Sequence, residues 1–281
     1  TDFDLTVRLN ETGSVYYVVL ADGVGVPTSA QVLLGDDSGD ADAFLSGSIS
    51  VGTPSTDALA NIAGLAAGTT YDIYLVAQDG ATNAQYSPTL LEVTAGAPFI
   101  TTWITTDTQI TFPSNAGTYD ISWKNLTNAT QGDGSASGIT GDHLITGLNN
   151  ADTYEISVTG GLQRVYFANT GDKTKIQTIE QWGDIAWTSM VSAFHGCNNL
   201  VYNATDAPDL SSVSSLKSMF QSCTSFNGNI NTWDVSGIND MDRMFAGASS
   251  FNQPLNNWNT SSVKSLNYIF IFLHSYNMFS T

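Results

Sequence analysis

Basic residues are scarce: the 281 residues hold eight Lys plus Arg against 26 Asp plus Glu, a formal charge of −18. Nucleic acid and anionic bilayers bind clustered cations, so this balance argues strongly against either as the natural partner. Cysteine is scarcer still, and two thiols cannot staple a disulfide-rich scaffold. No apolar run reaches the roughly 18 residues of a membrane-spanning helix, so no membrane insertion is expected. No secretory leader stands in these residues, and a leader removed ahead of Thr1 fits an exported protein. Long helix-period stretches are absent. The three histidines, His143, His195 and His274, stand apart from one another and from any nucleophile at a catalytic spacing. The sequence predicts no enzyme and no catalytic residue.

What the chain does hold is a repeat. Lys217 to Asn227 (KSMFQSCTSFN) aligns with Asp242 to Asn252 (DRMFAGASSFN) and with Asn267 to Asn277 (NYIFIFLHSYN), 25 residues apart each time. A degenerate copy lies 26 residues upstream, with Trp187, Met190, Phe194, Cys197 and Leu200 in place of Val213, Leu216, Phe220, Cys223 and Phe226. A fixed period of this size marks a stacked architecture, because one repeat cannot bury its apolar face alone. The expected core rows are Val213, Ile238 and Val263; Leu216, Met241 and Leu266; Phe220, Phe245 and Phe270; and Phe226, Phe251 and Tyr276. Asn227, Asn252 and Asn277 form a polar row that is expected to satisfy backbone groups at a buried corner, since an unpaired buried amide costs about 1–3 kcal/mol.

Met219-Phe220 with Ser225-Phe226-Asn227 and Trp233-Asp234-Val235-Ser236, and the matching run from Met244 to Leu255 with Trp258 to Ser261, resemble the repeat of the BspA-like bacterial surface proteins, a family related to leucine-rich repeats. The resemblance covers residues 170–281 and implies a leucine-rich-repeat-like solenoid in a secreted or cell-surface protein, usually one discussed in terms of adhesion. It implies no catalytic residue.

The remainder reads as two β modules. Gly64 to Val76 and Gly147 to Val158 match in type and spacing, each with a leucine before a turn and then Thr-Tyr opening an alternating strand. This is the sequence form of the tyrosine corner of immunoglobulin-like and fibronectin type III sandwiches, with the hydroxyls of Tyr71 and Tyr154 tying down the preceding turn. Residues 1–95, which also carry Tyr86-Ser87-Pro88 before a last strand, resemble fibronectin type III. Residues 96–169 are immunoglobulin-like in pattern, with Tyr119 to Trp123 as an inner strand. Turn clusters at Asp36-Asp37-Ser38-Gly39 and Gln131-Gly132-Asp133-Gly134 support an all-β reading. The expected fold is mainly β: two immunoglobulin-like β-sandwiches, then a cap and the solenoid. Thr174 to Met190, with Ile176, Ile179, Trp182 and Ile185, is the helical candidate for the cap. No second cap is visible, so the chain is expected to be a fragment of a longer repeat protein or to close against a partner through Tyr268, Phe270, Phe272 and Tyr276.

Several residues invite chemistry. Cys197 and Cys223 share one repeat position, filled by Ala248 in the next copy, so two readings stand: a bridge between neighbouring repeats, or two small buried side chains. Asp36, Asp37, Asp40 and Asp42 form an acidic loop that either holds calcium or is simply solvated; the spacing is not that of an EF-hand. Trp233 and Trp258 recur one repeat apart, and either offer a stacking platform to sugar rings or close the edge of the core. Asn10, Asn125, Asn128, Asn203 and Asn259 open formal glycosylation sequons. The function expected is adhesion or binding to proteins or glycans at a cell surface, without a cofactor other than calcium. The alternatives are a self-assembling surface fibre and a carbohydrate-binding accessory region of a larger secreted enzyme.

Overall fold

In β1 (Phe3–Arg8), Leu5 and Val7 point inward while Thr6 and Arg8 point to solvent, the period-two pattern of a half-buried strand. The computed structural model to which this strand belongs describes residues 3–66, 69–94, 96–128 and 131–271. It is mainly β, with one short helix among the described residues, and it divides into two compact units, Thr1–Gly96 and Ala97–Thr281.

In the first unit β1 pairs antiparallel with β4 (Asp57–Ile62). Against this pair lies a four-stranded antiparallel sheet in the order β3 (Leu45–Val51), β2 (Gly13–Ala21), β5 (Thr70–Asp79), β6 (Thr89–Thr94). Val15, Val19, Ile49, Val51, Tyr71 and Ile73 meet Leu5, Val7 and Ile62 between the sheets. Each such side chain, fully buried, contributes about 1.5–3 kcal/mol. The outer faces of β2 and β5 are buried as well, by Val18, Leu20, Tyr74 and Val76, because α1 (Ser29–Leu34) lays Val32 on them. Its signal stands in the sequence: Thr28 to Gln31 is a capping box, with Thr28 Oγ1 accepting from Gln31 N and Gln31 Oε1 accepting from Thr28 N, and Gly35 closes the helix in the left-handed region. A Cβ on Gly47 would stand 2.5–2.9 Å from the hydroxyl and ring edge of Tyr17, so a larger residue there needs that side chain to shift.

In the second unit a six-stranded sheet runs in the order β10 (Gly134–Thr140), β9 (Gly117–Asn125), β12 (Thr153–Leu162), β7 (Phe99–Ile104), β13 (Ile176–Gln181), β14 (Val201–Tyr202). A two-stranded sheet of β8 (Gln109–Phe112) and β11 (His143–Thr146) adds Ile110, Phe112 and Ile145 to the core. That core runs without a break from Phe99 to Trp258. The helix expected over Thr174 to Met190 does not form: Ile176–Gln181 is the strand β13, and residues 182–190 are turns and irregular chain. The register of β13 against β7 shifts between Ile176 and Thr178 and again between Ile179 and Gln181. Two bulges therefore bury Ile176 and Ile179, three residues apart, on one face, which imitates helical spacing.

Both tyrosine corners form. Tyr71 Oη accepts a hydrogen bond from Ala66 N at 2.9 Å, and Tyr154 Oη accepts one from Asn149 N at 2.9 Å, five residues back in each case.

The 25-residue copies do stack, but no leucine-rich-repeat-like solenoid is seen. Residues 203–271 hold no strand and no helix; consecutive copies meet through backbone hydrogen bonds between tight turns, which include the parallel bridges Ser215–Asp240 and Asp240–Ser265. The reason lies in the backbone. Ser192, Ser218, Arg243 and Tyr268, one per copy, are left-handed at φ 56°, 55°, 57° and 58°. A leucine-rich repeat needs an extended segment in each copy, and a left-handed residue at this position breaks it.

Candidate functional site

The turn unit is the element that places side chains on the repeat surface. Leu216, Ser218, Phe220 and Ser222 donate their N–H groups to the carbonyls of Asp240, Asp242, Met244 and Ala246 at 2.8–2.9 Å, while Met219, Gln221 and Cys223 donate three residues back within the unit. Met241, Arg243, Phe245 and Gly247 donate in the same sense to Ser265, Asn267, Ile269 and Ile271. Every second amide thus ties one unit to the next, and buried apolar side chains come from both phases of the alternation: Leu216 and Phe220 from one, Met219 and Cys223 from the other. The second left-handed row, Gly196, Ser222 and Gly247 at φ 86°, 60° and 75°, closes each unit four residues after the first.

Of the expected core rows, Val213, Ile238, Leu216, Met241, Phe220, Phe245, Phe226 and Phe251 are buried. In the last described unit Leu266 is 44% exposed, against 0% for Leu216 and 1% for Met241. The asparagine row works differently from expectation. Asn227 Oδ1 accepts from Asn252 N at 2.9 Å, but both residues are exposed, so the row fastens unit to unit at the surface and not in a buried corner. Asn231 repeats the device by accepting from Asn257 N at 2.9 Å.

Beside these rows the units shape a shallow groove of about 250 Å³, lined by Ser222, Arg243, Gly247, Tyr268 and Ile271. The Arg243 guanidinium lies 5.5 Å from the centre of the Tyr268 ring, which is 60% exposed. A cation over an accessible aromatic face offers a partner both charge and stacking area. Nothing in the sequence singled out this pair, because its members come from different copies of one repeat position. Next to it Asp242 accepts from the Ser265 hydroxyl and from Asn267 N, and the Ser265 hydrogen bond holds its carboxyl below the usual carboxylate range.

The residues singled out from sequence do not converge. Trp233 and Trp258 are buried at 3% and 8% exposure, so neither offers an open stacking face. Trp233 Nε1 donates to Tyr202 Oη at 3.3 Å, and Trp258 Nε1 donates to the Ile230 carbonyl at 2.9 Å. The ligand platform is therefore corrected to a core edge, where each ring buries its carbon surface and satisfies its one donor. Cys197 and Cys223 are buried free thiols; Cys223 Sγ donates to the Phe194 carbonyl at 3.0 Å, and burial pushes both thiols up. No bridge joins them.

In the acidic loop Asp36 and Asp42 form a bridge, Asp37 Oδ1 accepts from Gly39 N and Ala41 N at 2.7 and 3.1 Å, and Asp40 Oδ1 accepts from Gln31 Nε2 at 2.7 Å. These bonds hold the loop to itself and to α1. Among the described residues no three His, Cys, Asp or Glu side chains are gathered as metal ligands. Tyr268 and Phe270 stand in the last described unit, whereas Phe272, Tyr276 and His274 lie outside the described residues.

His143 begins β11, half-buried with its ring 6.0 Å from that of Trp123, and burial lowers its pKa. His195 is half-buried too, and burial and then Lys173 lower its pKa. The sequon residue Asn125 is fully buried, with its side-chain amide donating to Asp152 and Tyr154. One charged cluster had no sequence signal: Lys175 Nζ, with its side chain 5% exposed, lies 2.9 Å from Asp107, 3.0 Å from Asp172 and 2.8 Å from the Gln109 carbonyl. It fastens β8 to the segment entering β13.

Residues 163–279, which span the turn repeats, match a family model described as a Mycoplasma protein of unknown function, DUF285. No curated protein and no solved structure matches the chain. The resemblance to BspA-like leucine-rich repeats is corrected accordingly: neither a BspA-like nor a leucine-rich-repeat family is found, and the matching segment is similar to a bacterial family defined by this mycoplasma domain.

Proposed function

We propose that the chain is a non-enzymatic extracellular or cell-surface modular protein that binds proteins or glycans through the exposed face of its turn repeats. The observation that carries the reading is the recurrence of surface side chains in register: Asn227 over Asn252, Asn231 over Asn256, Ser215 over Asp240 and Ser265, flanked by the Arg243–Tyr268 groove. A surface that repeats at a fixed step suits many weak contacts summed over an extended ligand. The low count of basic residues turns it away from nucleic acid. Among the described residues no helix is long and apolar enough to cross a membrane.

The modules ahead of the repeats belong to the same proposal. The first unit is read as fibronectin type III-like and strands β7 to β12 as immunoglobulin-like, and the two tyrosine corners support this. In that role they are spacers that carry the repeats.

The test is a screen of the full chain against immobilised glycans and cell-surface proteins, run beside the Arg243→Ala/Tyr268→Ala variant. Binding that weakens at least about tenfold in the variant supports the repeat face as the site. Binding that the variant leaves unchanged removes it, and a turnover of any screened ligand removes the non-enzymatic reading.

A second reading is self-association, favoured by the 44% exposure of Leu266 where the two preceding copies are closed. Light scattering over a concentration series checks it: growth with concentration supports assembly, and a constant monomer excludes it. A carbohydrate-binding accessory role built on Trp233 and Trp258 has lost its support, because both rings are buried.

A further inference from the structure

We propose that the first unit takes up an extended strand of a second polypeptide along the free edge of β1. The two sheets of this unit are unequal. Four strands face two, and among the described residues β1 pairs with β4 and with no other strand. β4 is the member of the pair in closer contact with β3, and Leu9 and Glu11, which follow β1, line one groove with Ala77 and Asp79 of β5, so β1 lies on the β5 side of the pair.

Burial follows that placement. On the inner face of the four-stranded sheet Val15, Val19, Ile49 and Val51, from β2 and β3, are all at most 5% exposed. On the same face Leu75, Ala77 and Val93 are only half-buried, and Leu91, directly opposite Ile73, is 38% exposed. At one end of this strip a groove of about 340 Å³ lies between Leu9 and Glu11, which follow β1, and Ala77 and Asp79, which end β5. The unit therefore has apolar inner surface with room above it, bordered by a strand edge whose backbone groups are a template for pairing.

Both features specify the same occupant. A strand added at about 4.8 Å from β1 extends the small sheet across β5 and β6, with one side chain in two pointing down onto Leu75, Leu91 and Val93. Its downward residues must be apolar. The charged residues lining the groove are Glu11 and Asp79, without Lys or Arg, so the remaining positions are best neutral or basic. The partner is thus an extended segment of another protein that alternates apolar residues with threonine or lysine.

A fluorescein-labelled peptide of valines alternating with lysine and threonine, titrated into the full chain, tests this by anisotropy together with amide hydrogen exchange. A second peptide of the same composition, its valines placed in one block, is the control. Expected are saturable binding of the alternating peptide, slowed exchange in β1, at least about tenfold weaker binding of the control, and a comparable loss in Leu91→Asp. Equal binding of the two peptides, slowed exchange confined elsewhere, or no binding overturns the proposal. Dimerisation of the chain that blocks the peptide puts a second copy on the edge and overturns the occupant. The exchange map of the unaltered chain decides the matter even where Leu91→Asp fails to fold.

Discussion

The ring of Phe220 lies over that of Phe245, with centroids 6.0 Å apart and planes within 12°. Phe194 stacks on Phe220 at 5.7 Å, and Phe245 on Phe270 at 5.6 Å, so one phenylalanine per repeat builds a continuous column. The column does not begin in the repeats. It passes through Phe167, 6.2 Å from Phe194, to Trp103 in the six-stranded sheet, 5.7 Å further on. The turn units thus grow on a sheet core, which explains how segments without strand or helix hold a fixed shape.

Phe245→Ala removes a fully buried ring from the middle of that column. The expected cost is about 3–5 kcal/mol of the second unit's stability. Phe270→Ala is expected to cost less, because Phe270 is only half-buried. Urea unfolding followed by tryptophan fluorescence compares them, and equal losses would count against the column.

The left-handed row Gly196, Ser222, Gly247 gives a second pair of variants. A Cβ on Gly247 would meet the nearest atoms of Ser222 at 3.6–3.8 Å, which is ordinary contact. The cost of Gly247→Ala is therefore conformational, about 1 kcal/mol. Ser222→Gly relieves the same strain and is expected to raise stability by less than about 1 kcal/mol, since glycine also loosens the unfolded chain. Thermal denaturation should place the two variants on opposite sides of the parent.

The corner tyrosines are matched in place but not in load. Tyr154 Oη accepts from Asn149 N and also from Asn125 Nδ2 at 3.1 Å, with both Tyr154 and Asn125 fully buried. Among the described residues Tyr71 Oη accepts from Ala66 N, which is itself exposed. Tyr154→Phe is expected to cost about 1–3 kcal/mol and Tyr71→Phe less, as chemical denaturation of each unit would report. The reverse order would contradict the geometry.

Lys175 and Asp107 make the second unit sensitive to acid. Hydrogen bonding from Lys175 holds the Asp107 carboxyl below its ordinary 3.8. Burial pulls the Lys175 ammonium down, but hydrogen bonds to Asp107 and Asp172 outweigh it and leave its pKa raised above 10.5. The depressed carboxylate contributes stability above the unfolded value of 3.8, lost as pH falls through the lower folded value; the raised ammonium contributes below 10.5 and is lost above it. The urea midpoint is expected to drop on acidification below 3.8, and Asp107→Asn to show a smaller drop. An identical acid limb in the variant would exclude the pair.

Much of this architecture was legible in sequence, where period and spacing report burial directly. The rows Leu216 with Met241 and Phe220 with Phe245 are core because a side chain repeated at 25 residues meets its own copy. The tyrosine corners were legible because a hydroxyl five residues after a turn has one obvious donor to accept from. What failed was backbone conformation. A serine, an arginine and a tyrosine share one left-handed position at Ser218, Arg243 and Tyr268, and none of the three is the glycine that would announce it. Bulges in β13 gave a strand the spacing of a helix, and the Arg243–Tyr268 groove exists only once the units are stacked.

The repeat face is the proposed place where the chain meets its partner. Hydrogen–deuterium exchange of the full chain, free and bound to a ligand found by the glycan and protein screen, locates the contact. Slowed exchange is expected to concentrate at residues 215–222, 240–247 and 265–271, the segments that carry the surface rows and the groove. Slowed exchange confined to the first unit, with these three segments unchanged, would contradict it.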